Sequence, residues 1–340
     1  MKLISFVVPS YNASKYLDKV IPSLLVGGDE VEIIIVNDGS KDNTLEIAKN
    51  YEKENSNVIV IDKENGGHGS TINEAIKVAN GLYFKCVDAD DWLDKDALLS
   101  LLERIKADIE NKKSPDLYLT NFVYENISKN KQDVWSLKKY FKVGEVLSWK
   151  DIKPFNVKDF LMMHMFVYKL DILKQSKLSL PLHTFYVDNL YVYKPLYYVN
   201  TICYLDLNLY RYYVGRNDQS VSFEQVDLKY DHQLRVFEEA SLYYTKEDLL
   251  KLNKPHYKEM IRAYFTILWL TQYYCLLGKR KGKYKEYKAV LREFKKENPS
   301  FYSLIHRNFG YFMYSLLLPI LKKALVNIGY HFVIKKTSWN

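Results

Sequence analysis

A chain of 340 residues, 48% of them hydrophobic and with a net charge of +8, can bury one large α/β domain with or without a smaller helical one. Cys86, Cys203 and Cys275 are too scattered for a disulfide framework or a paired zinc motif, so a reducing, cytoplasmic compartment is expected. The N-terminal apolar run ends at Pro9 without a small-residue cleavage site, and the apolar stretch 309–321 falls short of the ~20 residues a spanning helix needs; neither a signal peptide nor a transmembrane helix is expected.

Residues 3–9, 31–37, 58–62 and 83–87 are continuous apolar runs rich in Val and Ile, the pattern of strands covered on both faces. Helical segments separate them. Ser14–Leu25 sets Tyr16, Leu17, Val20, Ile21 and Leu24 on one face, residues 44–54 follow, and residues 70–80 end at Gly81 as a C-cap. Strand alternating with helix predicts a doubly wound, mostly parallel, Rossmann-like sheet. Leu98, Leu101, Leu102 and Ile105 predict a helix over 94–106, and 117–121 a further strand. From 122 to 159 the periodicity weakens and reads as a hairpin and loops; strands over 166–168, 202–205 and 209–213 and a helix over 188–196 follow. From Asp227 the chain is helical and rich in Tyr, Lys and Leu, with breaks at Pro255, 278–282 and Pro299, which sets a boundary near Val226.

Charge divides at a similar point. Residues 251–340 hold about 18 Lys and Arg against about 4 Asp and Glu, so roughly +14 sits there and roughly −6 on the first 250 residues. This basic, aromatic-rich module is compatible with peripheral attachment to an anionic membrane surface, at the inner face, and equally with helices whose lysines are merely solvated. It carries no nucleic-acid motif, so nucleic acid is not expected as a partner; a homo-oligomer is left open.

Ligands of an open α/β sheet bind beyond the carboxyl ends of its parallel strands. Pro9-Ser10-Tyr11-Asn12, Asn37-Asp38-Gly39-Ser40, Asp62 and Asp88-Ala89-Asp90-Asp91 leave those ends, so one edge gathers the carboxylates. Three aspartates within four residues repel one another, and a hard divalent cation relieves this, its shell completed by a diphosphate. Asp94 is expected to cap the helix that follows. Asp38 is either a turn residue or an acceptor for a base imide N–H. The glycine-rich loop from Glu64 to Ser70 lacks the pattern of a dinucleotide fingerprint and of a P-loop.

Together these stretches resemble the inverting glycosyltransferases of family 2, which adopt the GT-A fold: Phe6 to Asn12, Ile35 to Thr44, Glu64 to Gly67, and Val87-Asp88-Ala89-Asp90-Asp91-Trp92, the last containing the Asp-x-Asp motif. The resemblance implies a nucleotide-sugar-binding part over 1–122 and an acceptor and catalytic part over 123–226, followed by the helical module 227–340. It implies that Pro9, Tyr11 and Asp38 hold the nucleoside, that Asn65 and Gly67 line the donor, that Asp88 lies near the ribose or sugar, and that Asp90 ligates Mn²⁺ or Mg²⁺. Asn73 is carried over as a donor contact, although Ser70-Thr71-Ile72-Asn73 departs from the family's Ala-Arg-Asn and lacks its arginine. Phe185-Tyr186-Val187-Asp188-Asn189 resembles the family's Glu-Asp segment with Val187 in place of the glutamate, which makes Asp188 the expected base. Arg216, in a stretch running to Ser220-Val221-Ser222, is the expected diphosphate contact. His68, His164 and His183 could line the site, but a lone histidine is more often structural, and none of them is counted among the expected site residues.

The implied activity is transfer of a sugar from a nucleotide-sugar, a UDP-sugar by family analogy, to a hydroxyl of a saccharide or lipid-linked acceptor in surface polysaccharide or glycolipid assembly. Two other readings use the same edge: a sugar nucleotidyltransferase, and a catalytically silent nucleotide-sugar-binding subunit.

Overall fold

The computed structural model describes residues 1–156, 159–215, 227–276 and 281–307. Its N-terminal part alternates β1 (Ile4–Ser10), α1 (Ser14–Leu25), β2 (Val31–Asp38), α2 (Thr44–Glu54), β3 (Val58–Lys63), α3 (His68–Val78) and β4 (Tyr83–Cys86). Every residue of β1 and β2 is buried, as continuous apolar runs require. The sheet then adds β5 (Trp92–Leu93), β6 (Leu117–Asn126), β7 (Lys131–Trp135), β8 (Val146–Ser148), β9 (Phe166–Lys169) and β10 (Thr201–Tyr213), with α4 (Lys95–Glu110), α5 (Leu170–Gln175) and α6 (Asp188–Leu196) between them.

Along the sheet the order is β3-β2-β1-β4-β9-β6-β10-β5, with β7 paired to β6 and β8 to β10. β1 pairs in parallel with β2 and β4, β2 with β3, and β6 with β10, whereas the short strands β9 and β5 run the other way. The long strands therefore deliver their carboxyl ends to one edge. α1 packs with α2 and α3 with α5, the layering of a wound α/β sheet.

Several expectations shift. The third helix starts two residues early and ends at Val78, and Gly81 is not its cap: the backbone at Ala79 is extended, and a Cβ on Gly81 would run into the Ser5 amide of β1. Asp94 caps α4 as expected, accepting from the Ala97 amide. The strand expected over 117–121 continues to Asn126, buried throughout, because Asn121, Glu125 and Asn126 interrupt the apolar pattern without leaving the sheet. The two strands expected over 202–205 and 209–213 are one strand, β10, whose pairing with β6 shifts register between Tyr204 and Asn208. Asn121 donates to Asp206 and Asn208 at that irregularity, each at 3.0 Å.

Beyond Val226, itself outside the described residues, stand α7 (Tyr230–Tyr243), α8 (Lys246–Leu250), α9 (Lys254–Leu276), α10 (Lys283–Glu297) and α11 (Pro299–His306). Tyr264 is their aromatic centre, with Phe237, Phe294 and Phe301 packed around it. α7 and α9 also pack on α6, and Tyr244 and His256 hydrogen-bond the carbonyls of Lys194 and Leu196. Among the described residues no helix is long and apolar enough to cross a membrane.

Candidate active site

The loops leaving β1 and β2 are knitted together: the Asn12 amide donates to the Ser40 hydroxyl at 2.9 Å, and Asn12 accepts from the Lys41 amide at 2.8 Å. Pro9 is buried in register with Val36, while Tyr11, 53% exposed, stands out from the edge. Asp38 is buried, and its carboxylate accepts from Gly66 and Gly67 amides at 2.8 Å each and from Lys63 at 2.7 Å. Burial opposes its charge, but the Lys63 and amide hydrogen bonds hold its carboxyl below the usual range. Asn65 donates to the Asp38 carbonyl at 2.9 Å. Asp38 thus orders the glycine-rich loop at the mouth of the edge.

Gly67 has φ +83°, and a side chain there would press on the His183 backbone. The loop and the segment 180–187 lie against each other: His183 N–H donates to the Gly66 carbonyl at 2.6 Å. Asn73, expected on the donor, instead uses both ends of its amide on Leu180, whose N–H and carbonyl it binds at 2.9 Å each. The reason is geometric, since α3 packs against this segment and the Asn73 amide spans the N–H and C=O of a single residue.

Beyond β4, Asp88 meets His68 Nε2 at 2.9 Å and His164 Nε2 at 3.7 Å. Burial works against the Asp88 charge, yet the two imidazoles hold its carboxyl well below the usual range; His68 rises in turn because, against its own desolvation, the bond to Asp88 and the charges of Asp88, Asp188 and Asp90 act together. Asp91 is buried and accepts from the Tyr210 hydroxyl at 2.6 Å and the Tyr213 amide at 2.8 Å. Burial, and then the charges of Asp90 and Asp88, push it well upward. Asp90 lies half-buried between these two. Asp188 opens α6, with burial raising its carboxyl while His164 and His68 pull it down. Val187, in the place of the expected glutamate, is buried in the core. Arg216 and Ser220-Val221-Ser222 lie outside the described residues.

Of the three histidines that could line the edge, His68 and His164 both stand against Asp88. No spacing announces them: His68 follows a glycine loop, His164 sits among methionines, and only the fold brings them to Asp88 from either side. Tyr210 joins the same cluster, its ring 4.6 Å from that of His164 and its hydroxyl also accepting from the Asp88 amide at 3.2 Å. The donor set fits a divalent cation. Carboxylate oxygens of Asp88 and Asp91 and a ring nitrogen of His164 all lie within 4.8 Å of one another, and His164 Nδ1 is buried without a hydrogen-bond partner among the described residues.

Fold and edge define a GT-A-type scaffold, an α/β sheet with an Asp-x-Asp turn at its carboxyl edge. Residues 5–170, just under half of the chain, match the family described as Glycosyl transferase family 2, and this part of the chain belongs to that family. It is 40% identical over 102 residues to the uncharacterized glycosyltransferase EpsJ of Bacillus subtilis, covering 30% of each chain. It is also 40% identical over 101 residues to a poly(ribitol-phosphate) beta-glucosyltransferase of Bacillus spizizenii, 28% of this chain and 16% of that one. The chain therefore spans under a third of the length of these relatives. In fold it resembles S. aureus TarS 1-349, solved in complex with UDP-GlcNAc, with a TM-score of 0.66 and 21% identity over 90% of this chain and 84% of that one. It also resembles the mannosyltransferase PcManGT of Pyrobaculum calidifontis, solved with GDP-Man and Mn²⁺, with a TM-score of 0.52 and 12% identity over 98% of this chain and 88% of that one.

Proposed function

We propose that this chain transfers a sugar, with inversion, from a nucleoside diphosphate sugar, UDP-linked in the first instance, to a hydroxyl of a saccharide or lipid-linked acceptor in surface polysaccharide or glycolipid assembly. The observation that carries the proposal is the convergence of Asp188 with His68, Asp88 and His164 at the edge where Asp38 orders the glycine-rich loop. Pro9, Tyr11, Asn65 and Gly67 form the nucleoside side of that edge; Arg216, outside the described residues, is the diphosphate contact by resemblance alone.

In the reaction, Asp188 takes the acceptor hydroxyl proton as the oxygen bonds to the anomeric carbon, and the bond from that carbon to the diphosphate oxygen breaks on the opposite face. A base of this kind contributes ~10²–10⁴-fold. Its burial suits it to the task by raising its proton affinity. Asp90 would hold Mn²⁺ or Mg²⁺ as the resemblance implies, with Asp88, Asp91 and His164, which cluster at the same turn, available as further ligands; the ion would neutralise charge on the departing diphosphate.

The partner surface is proposed from α10. Lys285, Lys288, Arg292 and Lys295 are exposed and recur at helical spacing, a basic stripe suited to an anionic membrane at its cytoplasmic face. Lys283 is not part of it, being buried against Asp227 at 2.5 Å and the Tyr274 carbonyl at 2.9 Å. Lys279, Arg280 and residues 308–340 lie outside the described residues.

Incubation with a panel of UDP-, GDP- and dTDP-sugars and Mn²⁺ tests the proposal: release of nucleoside diphosphate from one donor is expected. Binding without release would favour the silent subunit, and diphosphate formation from a nucleoside triphosphate and a sugar phosphate would favour a nucleotidyltransferase.

A further inference from the structure

The segment that leads into Asp188 is strained. His183 and Tyr186, neither of them glycine, hold φ of +47° and +63° within four residues. Backbone of this kind persists only where its surroundings over-determine it, and it concentrates at functional sites. On the sheet side the surroundings are the Gly66 carbonyl, which takes the His183 N–H, and Asn73, which grips Leu180.

The other side is held by the helical module. Arg235 on α7 donates to the Thr184 hydroxyl at 2.7 Å and to the carbonyls of Leu182 and His183 at 3.4 and 3.5 Å. One turn earlier, His232 Nδ1 accepts from the Phe185 amide at 3.3 Å. A turn before that, the Lys229 ammonium lies 3.5 Å from the centre of the Phe185 ring. Lys229, His232 and Arg235 are spaced by three, so one line along the start of α7 meets four consecutive residues of the segment. Phe185 itself stays 40% exposed beside the site, three residues from Asp188.

We propose that Arg235, with His232 and Lys229, is the positioning clasp of the acceptor side: it holds residues 182–186 in their strained path and so fixes Asp188 relative to the glycine-rich loop. The inference rests on the transferase reading for its kinetic consequence but not for its structural one. No clasp residue touches a reacting atom. Its loss blurs the placement of the base, and small misplacements of a reacting group cost rate far more than they cost binding.

The test uses the full chain and two readouts. Hydrogen exchange of the 180–187 amides is expected to be at least tenfold faster in Arg235→Ala, with sheet peptides unchanged. Acceptor transfer at saturating donor is expected to fall about tenfold or more with nucleotide affinity unchanged, and Arg235→Lys to restore part of both. Thr184→Val, which removes the shortest contact, serves as the second variant should Arg235→Ala fold poorly. Unchanged exchange in both variants, or unchanged transfer, overturns the clasp. A wild-type chain that transfers nothing would sink the transferase reading, while the exchange data would still decide the clasp.

Discussion

The sheet and the helical module solve burial differently. The strands β1 and β2 bury mostly aliphatic runs, with a hydrogen-bonded Ser5–Glu32 pair at one end and the rest of their polar residues at the carboxyl edge. The helices from α7 onward bury polar groups in their interior: Gln233, His256, Glu259, Thr271, Gln272 and Lys283 are all nearly inaccessible. Such groups call for partners, and several find them across helices or back to the sheet half, as Gln233 does with Thr271 and His256 with the Leu196 carbonyl, whereas Glu259 pairs with Arg262 on its own helix. An aliphatic core with a polar rim leaves its chemistry free to meet a ligand. A core stitched by polar groups commits that chemistry to holding the helices in place.

The largest effect that would break this contrast lies at the edge. Asp90→Asn is expected to reduce turnover by about 10³-fold or more, the scale of a lost metal-borne charge, with little loss of stability because one of three crowded carboxylates is neutralised. Retention of full activity, in a sample treated with chelator, would remove the metal from the account.

A smaller effect is expected at His68. His68→Ala leaves Asp88 in place but strips the partner that orients it, and outer-shell losses of this kind cost about 10–100-fold in activity. A thermal melt close to wild type beside that loss would assign His68 to the site; a loss of stability with full specific activity of the folded fraction would return it to structure.

In the module the prediction concerns stability. Burial holds His256, stacked on Trp149 at 4.6 Å, neutral and lowers its value to about 4. Between that value and the ordinary 6.5 the unfolded chain binds the extra proton, so stability rises with pH through this window and falls on acidification. The loss from pH 7.5 to 5 is about 2 kcal/mol from this group. Urea titrations at both pH values check it, and His256→Gln is expected to flatten the difference.

The smallest effects belong to the surface. Each of Lys285, Lys288 and Lys295, changed to Glu, is expected to weaken flotation on anionic vesicles by about 1 kcal/mol or more, with no binding to neutral ones and weakening as salt rises. Equal flotation of the triple variant would clear α10 of that role.

Legibility in the sequence followed the same division. Ser14–Leu25, Thr44–Glu54 and Asp188–Leu196 coincide with their expected bounds because the apolar faces of α1 and α2 and the breaks around all three are explicit. The carboxylates were legible because strand ends converge by topology alone. His68, His164 and Tyr210 were not, since their proximity depends on how β9 and β10 cross the sheet, and pairing register is not written in any local spacing. Asn73 was placed on the donor by analogy with a neighbouring motif, whereas its partner Leu180 lies far along the chain. In the module, buried tyrosines and polar residues blur the helical stripe, so its helices were legible as helices but their contacts with the segment 180–187 were not.

The central claim is that Asp188 acts at this edge as the base, and the direct measurement is acceptor transfer and nucleotide affinity of Asp188→Asn side by side. The account predicts transfer lower by ~10² or more with affinity nearly unchanged. Equal losses in both would make Asp188 a structural residue of the start of α6, and an unaffected transfer rate would contradict the account outright.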